Sequence, residues 1–311
     1  MMKDPRKVFE VAFDQLGADD KTILAVSCDS AKGAGMSTFI KHFPQRYIEV
    51  GISEQTAIGV CAGLAETGFK PVIAAITPFL TMRAYEMIRN DIGYTNRNVT
   101  LVGSGGGLAY STLGSSHEAI EDISLMRTIP NMVILAPGDG HEIQQALRLA
   151  MQHVGPVYLR MPRHELRDIP GKDDERYEIG KSRTLRKGKD VLMLTYGTMI
   201  NEALDAADIL LTMGITASIE SFLTLRPIDA KALIRRVRDY EHIVTIEEHS
   251  KTAGFGAYIA ELLANQDFDG HHHILGIEEG SKEVGPYREI LDVHGLSAKK
   301  MADTIQFLLK K

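Results

Sequence analysis

Short apolar runs alternating with helical patterns are the feature that most narrows what this chain can fold into. Residues 22–27, 71–76, 98–103, 132–136 and 157–160 read as strands, with 46–50 a shorter one. Residues 4–16, 54–68, 78–91, 118–127 and 140–153 read as helices, and Gly33-Ala34-Gly35 as a loop. Strands that are apolar at nearly every position are buried on both faces. The expectation is therefore an α/β fold, a parallel sheet covered by helices, with ligands gathered at the carboxyl ends of the strands.

From 163 to 189 the composition turns charged, with Pro170-Gly171 in the middle, which reads as a linker. A second alternation follows, with strands at 191–195, 216–220, 242–247 and 273–277 and helices at 201–213, 229–239, 254–265 and 297–309. The expected division is a domain over 1–165, a linker over 166–188 and a smaller α/β domain over 189–311. A length of 311 residues with 44% hydrophobic content is enough for two packed domains. The net charge of −6, with signs interspersed, offers no basic stripe, so neither nucleic acid nor an anionic membrane surface is an expected partner. No apolar run reaches the ~18 residues of a membrane span. The opening Met-Met-Lys-Asp-Pro-Arg lacks a signal peptide's apolar core, and the expected location is cytoplasmic. Cys28 and Cys61 lie in apolar segments without metal-ligand spacing and read as buried thiols.

Gly51-Ile52-Ser53-Glu54-Gln55-Thr56 opens the helix after the 46–50 strand. Ser53 stands at the N-cap position, and Glu54 falls in the first turn, where the helix dipole favours a carboxylate. An ordinary helix start explains that much. Gly59, Ala62, Gly63 and Ala65 would let the helix lie close to another backbone, which places Glu54 at a buried edge. Phe79, Met82 and Tyr85 recur at i, i+3 and i+6, a spacing that by itself reads as a core stripe. His117 alone reads as a surface or capping residue, and Arg6 and Arg163 as solvated cations.

The run GISEQTAIGVCAGLAETGFKPV resembles the pyrimidine-binding domain of thiamine-diphosphate enzymes of the transketolase type, and the likeness extends over nearly the whole chain. It implies that Glu54 hydrogen-bonds the cofactor's pyrimidine ring nitrogen and so activates it. A carboxylate in an apolar pocket gains pKa, which suits sharing a proton. The resemblance also implies cofactor contacts from Phe79, from Tyr85, from Met82 where many transketolases carry Phe, and, in a looser match, from Asp29. Arg83-Ala84-Tyr85 is especially similar to deoxyxylulose-phosphate synthase. Gly114-Ser115-Ser116-His117-Glu118 resembles the family's Gly-Pro-Thr-His-Gln, so His117 is expected to face the substrate oxygen and shuttle a proton. Arg6 and Arg163 match the two arginines that grip the sugar phosphate, and a guanidinium fork suits phosphate and sulfonate alike. Two further positions depart from the family. Leu113 replaces an Asp that reads substrate hydroxyls, and Gly105 replaces a His that helps hold substrate.

Complete transketolases also have an N-terminal half, whose Gly-Asp-Gly and later Asn bind Mg²⁺ and the diphosphate. The resemblance therefore implies a separate N-terminal transketolase subunit that carries them, an α2β2 assembly, and thiamine diphosphate held between unlike chains. No metal ligand is expected here. The implied reaction moves a two-carbon ketol unit from an anionic ketose to an aldose phosphate. Leu113 and Gly105 leave a branched or sulfonated donor open. The β chain of a 2-oxoacid dehydrogenase and a non-catalytic α/β partner subunit are the competing readings. Three patterns are set aside. Gly103 to Leu108 lacks the last Gly of a dinucleotide loop, Pro137-Gly138-Asp139-Gly140 lacks its downstream Asn, and His271-His272-His273 has no neighbouring acid or Cys ligand.

Overall fold

A computed structural model describes residues 2–171, 177–264, 266, 268–278 and 282–310. In chain order the strands are β1 (Met2–Lys3), β2 (Ile23–Ser27), β3 (Tyr47–Glu49), β4 (Lys70–Ile76), β5 (Thr100–Ser104), β6 (Val133–Leu135), β7 (Val157–Met161), β8 (Leu166–Arg167), β9 (Ser182–Arg186), β10 (Val191–Thr195), β11 (Ala217–Phe222), β12 (Thr224–Arg226), β13 (His242–Ser250) and β14 (His271–Ile277). The first sheet has the order β12-β6-β7-β5-β4-β2-β3 and is parallel except for β12. The second has the order β14-β13-β10-β11-β9 and is parallel except for β9. Strands β2, β5, β7 and β10 are buried at every residue, as sheets covered on both faces require.

The segment expected as a linker contains two strands. Leu166–Arg167 pairs antiparallel with Met2–Lys3, and Ser182–Arg186 closes one edge of the second sheet. An edge strand keeps one side in water and carries charge, so its composition is that of a linker. Strand β12 was not expected at all. It follows β11 in the chain yet adds to the first sheet, antiparallel to β6. A shared apolar core, with Ile134 and Tyr158 in one cluster with Tyr196, Phe222 and Phe255, joins the two sheets as well. No helix among the described residues is long and apolar enough to cross a membrane.

Several helices differ from expectation. The segment 78–91 is not a regular α-helix, because Phe79–Arg83 and Ile88–Tyr94 are π-helical on either side of one α turn, Tyr85–Met87. The helix expected from 118 begins at Asp122, since Ala119 forms an antiparallel bridge with Gly107 instead. Helices Ser37–His42 and Tyr287–Val293 were not anticipated. The helix expected over 254–265 is Phe255–Leu263, and Asn265 lies outside the described residues.

Helix Glu54–Glu66 turns Ala57, Ile58 and Cys61 to the core. Within this chain Gly59 and Gly63, expected to let the helix lie close to another backbone, are exposed, and a Cβ at either meets nothing within 4 Å. Ser53 holds the N-cap position without capping. Its hydroxyl donates to Thr56 Oγ1 at 2.7 Å.

Candidate active site

The residues singled out in the sequence follow the carboxyl ends of neighbouring parallel strands. Asp29 follows β2, Glu54 follows β3, and Phe79, Met82 and Tyr85 follow β4, while His117 follows β5 and Arg163 follows β7. Strand β2 lies between β3 and β4, so the chain reverses its direction of travel across the sheet there, the usual place for a ligand crevice. Arg6 comes from the first turn of helix Pro5–Asp19, which Asp4 caps.

The Glu54 side chain is 3% exposed, and its Oε2 accepts a hydrogen bond from Arg83 Nη1 at 2.6 Å. The Arg83 guanidinium carbon stands 4.7 Å from the centroid of the Phe79 ring, so one cation touches both the carboxylate and the ring. Phe79 is half-buried and meets the His117 imidazole edge-to-face, with centroids 5.2 Å apart and planes at 71°. Ser116 Oγ lies 2.9 Å from His117 Nδ1, which leaves Nε2 as the nitrogen available to a ligand. Beyond His117, at 6.0 Å, is the ring of Tyr110, whose hydroxyl accepts from Arg163 Nη1 at 2.8 Å. Glu54, Arg83, Phe79, His117, Tyr110 and Arg163 thus form one continuous line. Arg83 and Tyr110 had no role in the sequence reading. Their signal was present only as neighbours of Phe79 and His117 in the same loops.

Tyr85, Met82 and Asp29, all expected at the site, are not joined to that line. The Tyr85 hydroxyl lies 2.5 Å from Thr128 Oγ1 and its ring packs on the core, while Met82 is 38% exposed. A π-helix bonds i to i+5, so positions i, i+3 and i+6 no longer share one face. Asp29 is exposed and left-handed, with φ of 55°, and its backbone N–H donates to Glu49 Oε1 at 2.8 Å. The same oxygen accepts from Gly51 N–H at 2.8 Å, and Tyr47 donates to Oε2 at 2.5 Å. Partial burial works against an ionised Glu49, but these bonds prevail and hold its carboxyl below the usual range. Glu49, another residue the sequence did not mark, thereby ties the loop after β2 to the loop after β3.

The two arginines are unequal. Arg6 already spends its charge on Asp4, with contacts of 2.9 and 3.1 Å. Arg163 has no carboxylate within ion-pair distance among the described residues, and its guanidinium carbon stands 4.4 Å from the centroid of the Tyr110 ring. Cys28, beside Glu54, is an inert thiol. Burial, and then the Glu54 charge, push it up to about 12. Both cysteines are free and buried. Gly105 adopts φ of +81°, and a Cβ there would lie 2.4 Å from Tyr110 Cε2. Leu113 is 54% exposed in the same loop.

Residues 2–168 match the transketolase pyrimidine binding domain, and residues 180–301 match the transketolase C-terminal domain. The chain belongs to the transketolase family. Within that family it is 34% identical to a putative transketolase C-terminal section from Methanocaldococcus jannaschii, over 99% of this chain and 97% of that protein. It is 32% identical to one subunit of an apulose-4-phosphate transketolase from Phocaeicola vulgatus, over 98% of this chain and 97% of that protein. A solved split gene transketolase, in an inactive beta4 tetramer, superposes with a TM-score of 0.90 at 33% identity, covering 99% of this chain and 98% of that one. Transketolases imply thiamine diphosphate, and the residues present fit its aminopyrimidine end: a buried carboxylate beside a half-exposed aromatic ring. Among the described residues no group of three His, Cys, Asp or Glu side chains is placed to hold a metal ion.

Proposed function

We propose that this chain is the pyrimidine-binding subunit of a two-subunit transketolase, which moves a two-carbon ketol unit from an anionic ketose to an aldose phosphate. The observation that carries the reading is the continuous line from the buried Glu54 carboxylate, past Phe79 and His117, to Arg163, which has no carboxylate within ion-pair distance among the described residues. Thiamine diphosphate, when bound, supplies the carbanion-stabilising chemistry. Glu54 would share a proton with its pyrimidine ring nitrogen, with Arg83 fixing the carboxylate in place. Phe79 offers a ring face for stacking, and Met82, Tyr85 and Asp29 would lie around that end of the cofactor. His117 would pass a proton at the substrate oxygen through Nε2. Arg163 and Arg6 would bind the anionic tail.

A separate N-terminal transketolase subunit would hold Mg²⁺ and the diphosphate, in an α2β2 assembly acting in the cytoplasm. The near full-length match to proteins named as a transketolase C-terminal section and as one transketolase subunit supports that division. The transketolase match also favours ketol transfer over 2-oxoacid decarboxylation. At the substrate end, Leu113 and Gly105 remove two hydroxyl-reading groups, which favours a donor other than the ordinary pentose phosphates. The test is ketol transfer by the mixed subunits with Mg²⁺ and thiamine diphosphate across a panel of ketose phosphates and sulfonates. Leu113→Asp should improve kcat/KM for xylulose 5-phosphate by about tenfold to a hundredfold, the worth of one substrate hydrogen bond to a charged group. No transfer by the mixture, or tight Mg²⁺-dependent cofactor binding by this chain alone in calorimetry, would overturn the two-subunit reading.

A further inference from the structure

We propose that Tyr110 is a positioning and specificity-determining residue for the anionic tail of the substrate, a role that rests on the transketolase reading above. Three contacts converge on it. Its ring fills the space that a side chain at position 105 would need, since a Cβ on Gly105 would come within 2.4 Å of Cε2 and 2.9 Å of Cδ2. Its hydroxyl accepts from Arg163 Nη1 at 2.8 Å while its ring lies against the same guanidinium, 4.4 Å from centroid to carbon. Its other neighbour is the His117 imidazole at 6.0 Å.

A guanidinium gripped at one nitrogen and along its plane has lost most of its rotational freedom, so it meets an anion already oriented. The aromatic face stabilises the cation without neutralising it, unlike the carboxylate that engages Arg6. Because the phenol oxygen accepts from Arg163, its own proton remains available for a second donor to the same anion. Gly105 and Tyr110 thus act as a matched pair. The missing side chain makes room for a ring that turns Arg163 into an anion receptor next to the proton-transfer residue. The ligand class is a ketose with an anionic tail, phosphate or sulfonate, recognised through that tail.

Two measurements test this. First, the Arg163 Nε–H signal of the full-length chain is followed by NMR through a titration with inorganic phosphate. Wild type should show a saturable shift, and Tyr110→Phe should raise its midpoint about tenfold, the worth of a hydrogen bond to a charged group. No shift in wild type, or an unchanged midpoint in Tyr110→Phe, overturns the role whether or not the assembly transfers ketol units. Second, in the assembled enzyme Tyr110→Phe should lower kcat/KM for a phosphorylated ketose about tenfold, chiefly through KM, and lower kcat/KM for an unphosphorylated ketose several-fold less. Equal losses on both ketoses overturn the role, because a general structural defect does not distinguish them. A wild-type assembly without transfer counts against the transketolase reading, and the phosphate titration then judges Tyr110.

Discussion

Glu54 shows how little a single residue type says until its surroundings are known. A Glu in the first turn of a helix is ordinary. A Glu there with a 3% exposed side chain, one oxygen held at 2.6 Å by Arg83 and an aromatic ring beside that arginine, is the group to which the proposed function gives proton sharing with the cofactor pyrimidine. Glu54→Gln keeps the shape, and Arg83, 44% exposed, can return to water, so the melting temperature should change little. Proton exchange at the thiazolium carbon of bound thiamine diphosphate, measured in the assembled enzyme, should slow by about 10²–10⁴-fold. Exchange at the wild-type rate would remove Glu54 from the mechanism. His117 and Arg163 were likewise visible in the sequence only through the family pattern. Their usefulness depends on Ser116 at one ring nitrogen and on Tyr110 under the guanidinium, neither of which a pattern of single residues can express.

The elements that carry the site were legible where burial is uniform and illegible where geometry is unusual. Strands β2, β4, β5 and β7 coincide closely with apolar runs because both their faces are covered. The π-helical turns at Phe79–Arg83 and Ile88–Tyr94 contain the same residue types as an α-helix, and only the hydrogen-bond register separates them. Within β5, Gly103 marks a close approach. A Cβ there would lie 2.7 Å from the Tyr158 hydroxyl and 2.9 Å from Thr77 Oγ1, just before the site loop that begins at Pro78. Gly103→Ala should therefore overpack a strand that has no slack, at a cost of about 1–3 kcal/mol. A thermal melt should show a drop of several degrees, and an unchanged Tm would mean that Tyr158 can move away without losing its 2.6 Å bond to Asp122.

Across the whole molecule the two sheets meet over buried charge. Arg160 donates to Asp122 at 2.8 Å and to the carbonyl of Glu248 at 3.0 Å, and the Glu248 carboxylate in turn accepts from Leu108 N–H at 2.6 Å and Tyr287 OH at 2.9 Å. His249 donates from Nδ1 to the Ser250 carbonyl at 2.7 Å and accepts Ser124 N–H at Nε2, which fits a neutral ring. Burial lowers His249 and His272 from 6.5 to about 4, and raises Glu142 and Glu247 from 4.5 to about 7. The signs oppose. Each carboxyl keeps a proton in the folded chain that the unfolded chain releases, so its contribution falls as pH rises from 4.5 to 7. Each histidine refuses a proton that the unfolded chain takes up, so its contribution rises between pH 4 and 6.5. Between 4.5 and 6.5 these contributions offset one another. His272→Asn removes one rising contribution, and the plot of Tm against pH should tilt downward across that window relative to wild type. A slope equal to or steeper upward than wild type would contradict the assignment.

By itself the sequence determined the α/β alternation, the strands buried on both faces, and a set of residues at strand carboxyl ends. Each of these follows from local periodicity and from which side chains avoid water. The tertiary structure alone decided that the charged segment around residues 182–186 is an edge strand and that β12 crosses to the first sheet, because both depend on which backbone lies alongside. The site was divided in the same way. Glu54, Phe79, His117 and Arg163 were readable as residue types in a pattern. Arg83, Tyr110 and Glu49 were not, since their roles arise from distances between loops far apart in the chain, and a hydrogen bond or ring contact leaves no trace in either partner's sequence.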